Sequence, residues 1–279
     1  MWVNVDENTG KVGEIKRFKN GVWETFVQSA GNINNGANPF YIQAVEDDTT
    51  VTFLDYSRQA TKISLNNTNN YYSAPENLVI NSNDRLYMQF DTITGLPPQE
   101  LLITFSVNKE YNAFGLCPLV NINISEIPIS GKVILSFATT TIKDASNLII
   151  PEPEEPIDSN SYYGMFFNCS SLIAAPQSLP SKMPANMGFR SMFADCVALK
   201  TAPILPAKTI TDDGYQEMFK NCSSLEKVIC LAESIPVGAT SSWLSNVAAQ
   251  GTFVKAPGVE WPTGDSGIPE GWTVEDYAG

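Results

Sequence analysis

The sequence contains no histidine. That excludes Ser-His-Asp and Cys-His catalytic arrangements, histidine-ligated zinc and ordinary histidine acid–base work. Basic residues are scarce: 17 lysines and arginines stand against 30 aspartates and glutamates, for a formal net charge of −13. Such a surface repels phosphates, so no nucleic-acid partner is expected, and the charge serves solubility. No apolar run approaches the ~18–20 residues of a membrane span, so no membrane insertion is expected. There is no Walker loop, no G-x-G-x-x-G and no C-x-x-C, so the chain is read as holding no cofactor and no metal. Five cysteines, Cys117, Cys169, Cys196, Cys222 and Cys230, are too few and too odd in number for a disulfide framework. They fit assembly in a reducing compartment. The opening MWVNVDENTG has neither the basic start nor the apolar stretch of a secretory signal, so export by the usual routes is not expected.

What is present is a repeat. Between Tyr162 and Leu231 one pattern recurs three times: an aromatic residue, then Met-Phe, Cys and Leu at fixed offsets. The copies are Tyr162, Met165, Phe166, Cys169, Leu172; Phe189, Met192, Phe193, Cys196, Leu199; and Tyr215, Met218, Phe219, Cys222, Leu225. The period is 27 and then 26 residues, and Leu179-Pro180 is echoed by Leu205-Pro206. A period of 20–30 residues with recurring apolar positions is the signature of a solenoid. The offsets i, i+3, i+4 and i+7 predict a short helix in each copy, followed by an extended segment that ends at Leu-Pro. One coil cannot bury its own apolar face, so the repeated residues are read as a shared core formed by stacking. Buried cysteine behaves as a small apolar residue, and neither a disulfide nor a metal ladder is needed to explain it.

Phe-x-x-Cys-x-x-Leu followed by a Pro-ended extended segment resembles the BspA-like class of leucine-rich repeat. Such repeats abound in surface proteins of gut Bacteroidota and in the phages that infect them. The final stretch, GTFVKAPGVEWPTGDSGIPEGWTVEDYAG, is similar to the end cap that follows such arrays. At the other end, V-N-V-D-E-N-T-G-K-V-G followed by N-G-x-W-E resembles the starts of fibre and appendage proteins of tailed phages. There the N-terminal segment joins the particle or its own copies.

The rest of the chain reads as β. Asn20-Gly21, between KVGEIKRFK and VWETF, predicts a hairpin of the type I′ kind, with Ile15, Phe18, Val22, Trp23 and Phe26 as its apolar material. From Phe40 the alternation in FYIQAVEDDTTVTF, then KISL, ENLVI, RLYMQF, ELLITFSV, VNINIS and KVILSFAT, predicts many short strands and a sandwich or jelly-roll-like unit. The turn Glu46-Asp47-Asp48 lacks the D-x-[DN]-x-[DN]-G of a calcium loop and is read as solvated. Residues 144–160, with PEPEEPID, read as a linker, or as a degenerate first coil through Leu148-Ile149-Ile150-Pro151. SSWLSNVAA predicts a further short helix, and GTFVKA and GWTV predict strands.

In order, then, the chain is expected to be mainly β with short helices. It comprises an N-terminal β-hairpin anchor and oligomerisation segment at 1–37, a β-sandwich domain at 38–146, BspA-like leucine-rich repeats at 147–251 and a C-terminal cap at 252–279. Gly264-Asp265-Ser266-Gly267 spells the serine-hydrolase word but lacks a histidine, and is read as a turn. Asp212-Asp213 and Glu152, Glu154 and Glu155 are the carboxylates a glycosidase would need, and no aromatic cleft is legible around them. No enzyme is expected. Ala174, Gln177, Lys200, Thr201, Glu226 and Lys227 are the expected exposed positions for binding. With the resemblances, the reading is a phage virion appendage, a head or tail fibre. It would be a homo-oligomer, a trimer, joined to a capsid or tail protein through its N-terminus and touching a host surface glycan or protein. The other reading is a bacterial cell-surface adhesin or glycan-binding protein.

Overall fold

In a computed structural model of the 279-residue chain, the described residues are 2–5, 12–19, 22–28, 39–54, 61–66, 71–90, 93–94, 104–124, 129–152, 162–183 and 187–278. Among them the chain is mainly β and holds no α-helix. The strands are β1 (Trp2–Val5), β2 (Val12–Lys19), β3 (Val22–Gln28), β4 (Tyr41–Ala44), β5 (Thr49–Phe53), β6 (Thr61–Leu65), β7 (Tyr72–Ser73), β8 (Asn77–Ile80), β9 (Arg85–Phe90) and β10 (Ile93–Thr94). They continue as β11 (Phe105–Val107), β12 (Tyr111–Leu116), β13 (Leu119–Ile124), β14 (Ile129–Ile134), β15 (Ile142–Ile149), β16 (Thr201–Leu205), β17 (Lys227–Cys230), β18 (Thr252–Lys255) and β19 (Thr273–Asp276).

β2 and β3 pair antiparallel with Lys19 opposite Val22, the register a two-residue hairpin requires, and β1 adds to β2. Asn20 and Gly21, and the side chains of the apolar residues expected to hold that hairpin, lie outside the described residues.

A six-stranded sheet runs β15-β12-β4-β9-β6-β7, and β11-β5-β8 form a second, antiparallel sheet. Alternation decides what faces inward. In β4 Ile42 and Ala44 are buried, in β12 Tyr111 and Ala113, and in β5 Val51 and Phe53. The inner rings meet between the sheets, with Phe105 6.3 Å from Tyr111 and 6.4 Å from Phe53. β12 was not legible as a strand, because Asn112 and Gly115 interrupt YNAFGL. The acidic turn is knitted by the protein itself: Asp47 Oδ1 accepts the Ser82 N–H at 2.9 Å, and Lys109 Nζ donates to the Asp47 carbonyl at 2.6 Å.

Two expectations need correction. First, the boundary drawn at 146–147 falls inside β15, and the linker read from residue 144 begins in a strand. β15 pairs parallel with β12 and is also bridged to Ala174, so one strand serves both halves. Leu148 is buried in the core there. Second, the short helices are absent. Tyr162 to Cys169 is a run of turns, with Met165 N–H bonded to Tyr162 O, Phe167 to Gly164 and Cys169 to Phe166. Every fourth residue has positive φ: Gly164 and Asn168; Met187, Ser191 and Asp195; Asp213, Glu217 and Asn221; Gly238, Ser242 and Asn246. The last group removes the helix expected in SSWLSNVAA. A left-handed residue every four positions breaks an α-helix, and the N–H groups between are free to bond the next coil. They do so: Phe166 N–H reaches Met192 O, Phe193 reaches Met218 O and Phe219 reaches Trp243 O, at 2.8 to 2.9 Å.

The extended segments also line up. β16, β17, β18 and β19 form a parallel sheet in which Thr201, Lys227, Thr252 and Thr273 lie opposite one another in turn. Isolated parallel bridges, Asp144 to Ala174 and Ser178 to Ile204, carry the same order back to β15. The buried core runs without a break from Phe40 to Trp272.

Candidate functional site

Every one of the fifteen repeat residues predicted as core is buried, none more than 1 % exposed. They are brought together in columns. Phe166, Phe193 and Phe219 stack at 5.1 and 5.5 Å with planes within 8°. Tyr162, Phe189 and Tyr215 form a second column at 5.0 and 6.1 Å. Trp243 closes it, 6.1 Å from Tyr215 and 5.2 Å from Trp261, both pairs nearly parallel.

One member of the first column was missed. Phe137 lies 5.4 Å from Phe166 with planes at 8°, and its N–H bonds Met165 O. The signal was Phe137-x-x-Thr140, with threonine where the later copies have cysteine. Without the thiol the word did not register.

The cysteines have a specific role. Cys169 Sγ donates to Phe137 O at 2.9 Å, Cys196 to Phe166 O at 3.0 Å and Cys222 to Phe193 O at 3.0 Å. Each thiol therefore satisfies a buried carbonyl of the coil before it, which an alanine could not do. All five cysteines are free and buried. Burial pushes the thiols of Cys169, Cys222 and Cys230 up to about 12, and those of Cys117 and Cys196 well above the ordinary value. Two results are expected. At pH 8 a disulfide reagent leaves the native thiols unlabelled and titrates all five in denaturant. The folded chain disfavours the thiolate, so this contribution to stability is complete below the ordinary thiol value of 9.0 and is lost as pH rises through about 12. Melting temperature measured in steps above pH 9 checks the sign.

The residue before each cysteine completes the column. Asn168, Asp195 and Asn221, with Asn246 in the following coil, all have φ between 56° and 63°, a conformation their short polar side chains tolerate. Asn221 donates to Asp195 Oδ1 and Asn246 donates to Asn221 Oδ1, each at 2.8 Å. The G-D-S-G segment works as a clasp. Trp243 Nε1 donates to Gly267 O, Thr240 Oγ1 to Ser266 O, and the Ser242 and Ser245 hydroxyls to the Asp265 carboxylate. Those hydroxyls hold Asp265 below its ordinary value.

Glu152 accepts the N–H groups of Ser181 and Lys182, and Glu154 and Glu155 lie outside the described residues. No group of three histidine, cysteine, aspartate or glutamate side chains among the described residues is arranged to hold a metal ion.

The positions expected to be exposed lie on or beside the outer face of the parallel sheet. Gln177, Lys200, Thr201, Glu226 and Lys227 are exposed there or beside it, while Ala174 is half-buried. The in-register row Thr201, Lys227, Thr252, Thr273 runs beside a second row, Ile204, Ile229, Val254, Glu275. Neither Lys200 nor Lys227 has an ion-pair partner among the described residues, whereas Lys208, Lys220 and Lys255 each hold a carboxylate. The face thus presents the Thr201 and Thr273 hydroxyls and the Lys200 and Lys227 ammonium groups, with Ile204 and Ile229 half-buried and Val254 buried beside them. Comparison with protein families, curated proteins and solved structures returned no match for this chain.

Proposed function

We propose that the chain is a non-enzymatic attachment protein: a phage virion appendage, head or tail fibre, whose repeat region touches a glycan or protein of the host cell surface. In this reading the stacked C-terminal half is a leucine-rich-repeat solenoid of the BspA-like kind and the preceding sheets are a β-sandwich. Residues 1–37 join the particle and the copies of the fibre, three in number. The observation that carries it is the division of labour in the repeat. The motif's rings and thiols are all turned inward, while the outer face keeps the hydroxyl, ammonium and carboxylate groups of Thr201, Lys200, Lys227 and Glu226. A rigid face carrying polar side chains suits binding rather than a reaction centre.

The test is adsorption of the labelled 279-residue chain to intact gut Bacteroidota. Lys200→Glu with Lys227→Glu is expected to reduce cell binding at least tenfold with the fold unchanged by circular dichroism. Unaltered binding would move recognition off this face. Light scattering is expected to give a trimer, and a folded monomer would remove the fibre reading. The repeat resemblance also favours a bacterial cell-surface adhesin. Immunogold on purified virions and on bacterial cells separates the two.

A further inference from the structure

The stack ends unevenly. β19 is the last strand of the parallel sheet, and all four of its residues are exposed, with Val274 44 % exposed. Its inner side is paired: Thr273 N–H bonds Gly251 O and Tyr277 N–H bonds Lys255 O, both at 2.8 Å. In a parallel strand the amides alternate, so the N–H groups of Val274 and Asp276 point away from the sheet, to an edge on which no strand lies among the described residues. The layer behind is incomplete too. Trp261, last in the ring column and 9 % exposed, has a buried indole N–H with no acceptor among the described residues. An unmade buried hydrogen bond of this kind costs about 1–3 kcal/mol, so the terminal layer is under-satisfied in the isolated chain.

Charge selects the occupant. Glu270, Glu275 and Asp276 are exposed at this edge, and Lys255 is committed to Asp276 at 2.6 Å. A second copy of the chain meeting β19 edge to edge would set these carboxylates against their own equivalents, which is unfavourable for directly opposed cross-strand pairs. Carboxylates on an open edge discourage such self-pairing. They suit an extended segment of the opposite sign. We propose that β19 is a docking edge that takes an extended, lysine- or arginine-bearing segment of a partner protein as a fifth strand, through the outward N–H groups of Val274 and Asp276. This is strand addition at a sheet edge, with backbone bonds giving affinity and charge giving selection. It does not depend on the receptor face proposed above.

The full-length chain is titrated with the fluorescent peptide TKVKTKVT and with its acidic counterpart TEVETEVT at low salt, while amide hydrogen exchange is followed. The basic peptide is expected to bind and to slow exchange at Val274 and Asp276, and the acidic one not to bind. Val274→Pro removes an outward N–H and leaves the inner ladder intact, since proline is tolerated on edge strands. It is expected to weaken the basic peptide at least tenfold. Glu270→Lys with Glu275→Lys is expected to exchange the preference between peptides. Binding untouched by Val274→Pro, or without slowed exchange at those amides, would reduce the effect to charge adhesion and overturn the proposal. Protection that grows with protein concentration in the absence of peptide would assign the edge to a second copy and overturn it equally.

Discussion

Phe193→Ala is expected to cost about 3–5 kcal/mol of folding stability, the range for truncating a fully buried phenylalanine. Its ring lies between Phe166 at 5.1 Å and Phe219 at 5.5 Å, so the truncation empties the middle of a column and not its end. The carbonyl of Phe193 accepts the Cys222 thiol, so collapse around the cavity would also strain that bond. Against a typical total of about 5–15 kcal/mol, the loss is large enough to unfold the repeat region at moderate temperature. Phe167→Ala is the control. Phe167 is beside Phe166 in sequence yet 36 % exposed, and its loss is expected to stay below about 1 kcal/mol. Urea unfolding followed by circular dichroism measures both. Equal effects from the two variants would mean that the column does not carry the stability assigned to it.

Trp243→Ala is the second. Trp243 is fully buried, stacks on both Tyr215 and Trp261, packs edge-on against Phe253 and donates its indole N–H to Gly267 O at 2.8 Å. Truncation is expected to cost about 3–5 kcal/mol through the lost ring, with about 1–3 kcal/mol more from the carbonyl left without its donor. Trp243→Phe keeps a six-membered ring and loses the donor with the rest of the indole, so its cost is expected to fall below that of alanine. Because neighbouring coils support one another, the damage is expected to concentrate C-terminal to the site. Hydrogen exchange should quicken across β18 and β19 and stay unchanged in β4 and β9. Uniform quickening throughout the chain would contradict nearest-neighbour coupling.

The column residues are legible in the sequence and their backbone is not, and both outcomes have one cause. Tyr162 with Phe166, and Met165 with Cys169, are four apart. A period of four fits a 3.6-residue helix over two turns, and it fits a run of four-residue turns as well. The residues that distinguish the two are Asn168, Asp195 and Asn221, together with Gly164. Each tolerates positive φ, and each sits at the step where a helix would be broken. Lying between Phe and Cys, they carry no apolar spacing that would mark them. The column's first rung, Phe137, has Thr140 in place of the cysteine, and it stands ahead of β15, whose Lys143, Asp144 and Ser146 look like loop composition. Pairing with β12 on one side and a bridge to Ala174 on the other override that local preference. The exposed face followed directly, because Lys200, Glu226 and Lys227 occupy positions that no repeat of apolar spacing claims.

β15 has a mechanical consequence. Two units joined by a polypeptide tether separate under load by stretching, with little resistance until the tether is taut. Here the Ile142–Ile149 backbone is bonded to β12 on one side and meets Ala174 on the other, and Phe137 and Thr139 bond across to Met165 and Phe167. Pulling the repeat region away from the sheets that precede it must shear these bonds together instead of opening them singly. The junction is therefore a stiff splice and not a hinge.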